Sequence, residues 1–154
     1  MKTLMRWTIA GLACVSLSTA VLAQERGSKE EAKAMVDAAI EHVKKVGGDQ
    51  AMKDFSTDKA KWSKKDLYVF VYDMKGISLA HGANEKLIGK DMSQVKDSNG
   101  KPIIVEMIKL VSAGKDGWVD YDWAHPVTKK IEPKSSYVRK LTNPDGFVGV
   151  GIYR

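Results

Sequence analysis

Apolar residues recur at helical spacing from Ala32 through Met35, Val36, Ala39, Ile40 and Val43 to Val46, one face of a 3.6-residue period. The preceding Ser28-Lys-Glu-Glu31 has capping-box chemistry: the Ser hydroxyl accepts from the third helical N–H while Glu31 reaches back. Gly47-Gly48 stops that helix, and a short second one is predicted from about Asp49 to Phe55. His42 is expected on the exposed side of the first helix. Ser56 to Lys65 carries no clear period and reads as an irregular connection.

The pattern then changes to strands. Leu67-Tyr-Val-Phe-Val-Tyr72 is β-branched, aromatic and almost continuously apolar, which predicts a central strand covered on both faces. Lys75-Gly76 makes a turn, and Ile77 to His81 returns as a second strand. Gly82 to Asn99 reads largely as loop, closed by the Asn99-Gly100 turn signal. Pro102 opens a second substantial helix with Ile103, Ile104, Met107, Ile108 and Val111 on its apolar face, and Gly114 ends it. Strands are predicted at Gly117 to Trp123, Lys134 to Leu141 and Phe147 to Tyr153, the last two joined by the tight Asn143-Pro-Asp-Gly146 turn. Strands joined by short turns form an antiparallel sheet. The expected class is α+β, a two-layer sandwich with the helices on one side.

Residues 1–23 stand apart. Lys2 and Arg6 precede an uncharged run from Trp7 to Val21, then Val21-Leu22-Ala23 and a charged stretch. This is the pattern of a cleaved secretory signal peptide, with cleavage expected after Ala23; the run is shorter than the roughly 20 apolar residues a spanning helix needs. The one cysteine, Cys14, lies inside this segment, so residues 24–154 offer no thiol for catalysis, disulfide formation or metal ligation. Loss of Lys2 and Arg6 lowers the formal charge from +6 to +4. The remaining basic residues are interspersed with acids, and in an exported chain nucleic acid is not an expected partner.

The run Val69-Phe-Val-Tyr-Asp73, Gly76 and Leu79-Ala-His81 resembles the opening strands of single Cache domains. So do Leu87-Ile-Gly-Lys90, Asp97 and Gly100-Lys101. The closing part matches more fully, with Gly117-Trp-Val-Asp-Tyr-Asp-Trp123, Pro126, Lys134-Ser-Ser-Tyr137 and Gly149-Val-Gly-Ile-Tyr153. The resemblance covers roughly residues 30–154 and corresponds to the type 2 single Cache domain. It implies a PAS-like five-stranded antiparallel sheet with a long N-terminal helix and a second helix packed on it. It also implies extracytoplasmic sensing of small molecules, often small organic acids or amino acids. Most members sit between two membrane spans, whereas this sequence ends at Arg154, directly after the last strand. The expectation is therefore a freestanding periplasmic binding domain that passes its ligand state to a membrane receptor, kinase or transporter. The long helix could also pair with its copy in a homodimer.

Within that frame, strand alternation puts Val119, Tyr121 and Trp123 on one face and Trp118, Asp120 and Asp122 on the other. Tyr121 and Trp123 each offer an apolar ring with a polar tip, suited either to a pocket or to a core; Trp118 is a further candidate wall. Lys134 could pair with a ligand carboxylate as a point charge and Tyr137 could donate to it. The two lie three residues apart, so only a bulge near Ser135-Ser136 would bring them to one face. His81 could donate to a carboxylate or bond the backbone. Tyr72 belongs to an aromatic face with Tyr68 and Phe70 that is either core against the long helix or the pocket floor. Asp73 reads as a turn residue. The expected ligand site is thus Tyr72, His81, Trp118, Tyr121, Trp123, Lys134 and Tyr137.

Metal-ligand spacing is absent among the three histidines, and no cofactor is expected. G-x-S-x-G, P-loop and H-E-x-x-H motifs are missing, and Gly149-x-Gly151 lies in a strand rather than before a helix. An enzyme is not expected. The competing expectation is an interaction protein with a filled core, docking on a membrane sensor or transporter without a ligand of its own.

Overall fold

The computed structural model describes residues 25–154. The signal-peptide reading and Cys14 fall outside the described residues. Ser28 caps helix α1 (Lys29–Val46) through the capping box: Glu31 N–H donates to Ser28 Oγ at 3.1 Å, and Ser28 N–H donates to Glu31 Oε2 at 2.9 Å. Gly47 ends the helix at φ 85°, a conformation costly for any residue with a Cβ. Helix α2 (Gly48–Thr57) follows at once.

The segment expected to be irregular is ordered into helix α3 (Lys59–Trp62) and strand β1 (Ser63–Lys64). Asp58 caps α3, and the indole of Trp62 is buried edge-on against Phe55 at 4.7 Å. His42 is also not on an exposed face. It lies between α1 and α2, with Nε2 2.7 Å from Asp54 Oδ2.

The remaining elements are β2 (Leu67–Asp73), β3 (Ser78–His81), a 3-10 turn (Glu85–Leu87), α4 (Ile103–Ser112), β4 (Gly117–Ala124), β5 (Ile131–Thr142) and β6 (Asp145–Tyr153). The sheet is antiparallel in the order β1-β2-β6-β5-β4, with β3 also paired to β2. Apart from the two-residue β1, these are the five strands expected. Asp73 acts as the turn residue anticipated for it, its Oδ1 accepting from the N–H groups of Lys75 and Ile77.

The helices do not share one side. Val69 and Val71 of β2 and Val148, Val150 and Ile152 of β6 pack with Val36, Ala39 and Val43 of α1. The alternate residues, Tyr68, Phe70 and Tyr72 of β2 with Phe147 and Tyr153 of β6, pack with Ile103, Ile104, Met107 and Val111 of α4. The cause is already in the strands: β2 and β6 are apolar on both faces, so each face needs a cover. Full burial of one such valine contributes about 1.5–3 kcal/mol over exposure.

Glycines 149 and 151 fall on the α4 side of β6, where a side chain would otherwise stand. A methyl at Gly149 would overlap the Phe70 ring, and one at Gly151 would overlap Lys134 Cε and Ser136 Oγ. The gap at Gly151 lets the Lys134 stem lie against the strand. Gly151→Ala is therefore expected to cost about 1–3 kcal/mol through overpacking, read as a lowered urea midpoint. Gly117→Ala is expected to cost much less, because its methyl would meet only the end of the Leu110 side chain at 3.3 Å. Equal losses for the two variants would contradict the role given to the gap.

Candidate functional site

Between the sheet and α4 lies a small cavity of about 20 Å³, room for about one water molecule. Its apolar lining comes from Phe70 and from Met92, Val95, Ile103, Ile104 and Met107. Its polar-tipped lining is Tyr68, Tyr72, His81, Tyr121 and Trp123. Tyr68, His81 and Trp123 also border a wider basin of about 400 Å³, rimmed by Lys86 and Lys129. These three side chains partition the inner chamber from the outer one.

Four of the seven residues expected from sequence line the inner cavity: Tyr72, His81, Tyr121 and Trp123. Lys134 lies beside it, fully buried, with Nζ donating to Tyr68 Oη at 2.6 Å. Its ammonium also sits 4.0 Å from the Tyr68 ring centre, 4.8 Å from that of Tyr153 and 5.8 Å from that of Phe70, an arrangement favourable to a cation.

Trp118 and Tyr137 are on the opposite side of the sheet. The β4–β5 register runs without a bulge from Gly117↔Val138 to Ala124↔Ile131, so alternation carries both toward α1. Their rings pack 5.4 Å apart, with the Lys29 and Lys33 ammonium groups over them. Regular pairing satisfies both serines at the place where a bulge was considered. Ser135 Oγ donates to Asp120 Oδ1 on the α1 side, and Ser136 Oγ lies 2.8 Å from Tyr121 Oη on the cavity side.

Sequence reasoning left out Tyr68 as a site residue, although its period-two relation to Tyr72 placed it on the same face. Tyr153 was likewise not named. Its Oη donates to Ala124 O at 2.8 Å and stands 3.4 Å from Tyr68 Oη, so a run of hydroxyls leads from Lys134 to the end of β4. Met92 and Val95 sit in the stretch that offered no periodicity.

Burial sets the electrostatics. It pushes Tyr68 and Tyr121 well above the usual phenol range, so both hydroxyls keep their protons. It holds Lys134 well below the usual ammonium range, against the opposing pull of the Asp66 carboxylate. His81 is pushed down to about 3, first by burial and then by the charges of Lys134 and Lys59. Asn84 N–H donates to His81 Nδ1 at 3.0 Å, which leaves the proton of the neutral ring on Nε2. His125, beyond β4, is buried against Tyr153 with ring centres 4.6 Å apart, and its Nε2 is 3.8 Å from Asp66 Oδ2. Asp66 Oδ1 accepts from Gly27 N–H at 2.6 Å, tying this side of the sheet to the entry of α1.

Among the described residues no group of three or more His, Cys, Asp or Glu side chains is placed to hold a metal ion, and no helix is long and apolar enough to cross a membrane. What the cavity offers is a set of neutral hydroxyl, imidazole and indole groups beside one buried amine, in surroundings where hydrogen bonds are strong.

A sensor histidine kinase of Rhizobium johnstonii, MctS, is 35% identical over 89 residues, covering 58% of this chain and 19% of its own length. The chain thus spans about a fifth of that curated relative. The crystal structure of a methyl-accepting chemotaxis protein from Vibrio parahaemolyticus matches with a TM-score of 0.71 at 30% identity, over 81% of this chain and 87% of that one. A Cache chemosensory domain, solved for the structural basis of its carboxylic acid recognition, matches with a TM-score of 0.69 at 25% identity, over 80% of this chain and 91% of its own. The family model for single Cache domain 2 matches residues 11–154, and with the fold and cavity above it places this chain in that family of extracytoplasmic sensor domains.

Proposed function

We propose that the domain is a non-catalytic, periplasmic receptor for a small carboxylate, exported by its N-terminal segment, and that it reports occupancy to a membrane receptor, kinase or transporter. The observation that carries this reading is Lys134: a fully buried amine whose one hydrogen-bond acceptor among the described residues is Tyr68 Oη, set beside a small cavity lined with polar tips. A buried amine carries its charge at low cost only beside a counter-ion. A carboxylate at the partition would supply it, and could accept further from Tyr68, the Trp123 indole and the neutral His81 ring. The carboxylic acid recognised by the neighbouring Cache domain supports the same class. The docking-only alternative called for a filled interior; against it stands the basin of about 400 Å³ bordered by Tyr68, His81 and Trp123 rather than the inner cavity, which holds about 20 Å³.

In a thermal-shift screen of short organic acids, a ligand specific to the folded state should stabilise it by roughly 2.7 kcal/mol at about 100 times its dissociation constant. Lys134→Met should abolish that shift while leaving the ligand-free melting temperature equal or higher, because an apolar side chain replaces an unpaired buried amine. A variant that binds as tightly as wild type would remove Lys134 from the site.

His81 is assigned as a neutral donor, so its imidazole resonances should stay constant between about pH 5 and pH 8, unlike a free histidine with its midpoint near 6.5. Its folded-state value, about 3, lies below the unfolded one. As pH falls through about 6.5 the unfolded chain takes up a proton that the folded chain does not, and stability drops progressively toward pH 3. His81→Gln should flatten that part of the acid-stability profile measured by denaturant melts. An unchanged profile would count against the assignment.

A further inference from the structure

The ionisation of Lys134 goes beyond the class of ligand and rests on the carboxylate reading of the same site. Nζ is enclosed on every side. Tyr68 and Phe70 of β2, Tyr153 of β6 and, across the β4–β5 pairing, Tyr121 supply rings and hydroxyls but no charge. His81 of β3 packs on the Tyr68 ring at 5.0 Å and is neutral. His125 lies behind Tyr153. Asp66 is the acid whose field reaches Nζ, and among the described residues it forms no ion pair with it; its carboxylate is bonded to Gly27 N–H and faces His125.

An ammonium has three donors and here finds one acceptor. A neutral amine fits better. Its lone pair can accept from the Tyr68 hydroxyl across the same 2.6 Å contact, and that hydroxyl, being buried and hard to ionise, has the proton to give.

We infer that Lys134 is uncharged in the ligand-free domain and that binding a carboxylate is coupled to the uptake of one proton at its Nζ. The balance is simple. The amine, the carboxylate and one proton from solvent give an ammonium–carboxylate pair. The Tyr68 hydroxyl turns from donor to Nζ into acceptor from it or donor to the ligand. Above the pH at which the free amine protonates, affinity falls by up to about tenfold per pH unit, since each bound ligand must draw in a proton. Below that pH the ammonium already exists, and affinity levels off.

The full chain with 13C,15N-labelled lysine gives the direct test by NMR. The Lys134 Cε and Nζ signals are identifiable by the ring currents of Tyr68 and Tyr153 and by their loss in Lys134→Met. Expected in the ligand-free protein is a midpoint well below about 10.4, the ordinary value for a lysine side chain. Titration calorimetry with acetate, propionate and pyruvate, in two buffers of different ionisation heat at a pH about one unit above that midpoint, then counts protons from the buffer dependence of the heat. Uptake close to one per site is expected. A Lys134 signal that stays ammonium-like up to the ordinary lysine value, about 10.4, overturns the inference. Binding without proton uptake overturns the coupling while leaving the carboxylate reading intact. A depressed midpoint with no heat from any of the three acids sinks the carboxylate reading and the coupling with it.

Discussion

Lys134 lies full length against the bare backbone of Gly151, out of contact with water, and much of the cavity side of the sheet is arranged around that placement. An amine removed from solvent must be met by something other than water. Here it is met by aromatic faces, by one phenol and by the distant field of Asp66. Each partner then imposes its own condition. Gly151 cannot carry a side chain. Tyr68 must point inward from β2, with its hydroxyl leading to Tyr153 and on to the backbone at Ala124. His81 is held neutral beside it, its ring fixed by Asn84 N–H at Nδ1 with the proton on Nε2.

The two faces of the sheet divide the work. Toward α1 the contacts are aliphatic: Val69, Val71, Val148 and Val150 against Val36, Ala39 and Val43. That side has the packing expected of a stable core. Toward α4 the strands carry tyrosines and glycines, and a void of about 20 Å³ remains among them. The same period-two alternation sends Trp118 and Tyr137 to the first side and Tyr121 and Trp123 to the second. Asp66 is common to both sides: one oxygen holds Gly27 N–H at the start of α1, while its charge is felt at Lys134.

The element order was legible because its signals are local. The Ser28–Glu31 capping box, Gly47 at positive φ, the Asp73 turn and the alternating strands each act over a few residues. α3 was missed because one turn of helix, held by Asp58 and the burial of Trp62, has too few residues to show a period. The one-sided helix arrangement failed although the continuous apolar character of Leu67 to Tyr72 already called for two covers. In the site, Tyr121, Trp123, Tyr72 and His81 were reachable through alternation and hairpin pairing. Tyr137 was misplaced because an irregularity had to be supposed to join it to Lys134, and the strand is regular there. Met92 and Val95 come from a loop whose path is set by tertiary contacts, and nothing local marks them.

A carboxylate placed permanently beside Lys134 would have been the easier way to bury it. Such a pair would satisfy both charges internally and leave nothing for an outside acid to gain by entering, since a ligand would have to compete with a partner held at high effective concentration. The observed cage works the other way. Cation–π contacts and a single phenol give Lys134 partial support, enough for the fold to tolerate the group but not enough to satisfy a full ammonium. On the proposed reading a carboxylate would relieve that deficit, so the interactions made with and without it would differ sharply. A receptor needs that difference, because a ligand shifts a conformational equilibrium only by as much as its interactions differ between the two states.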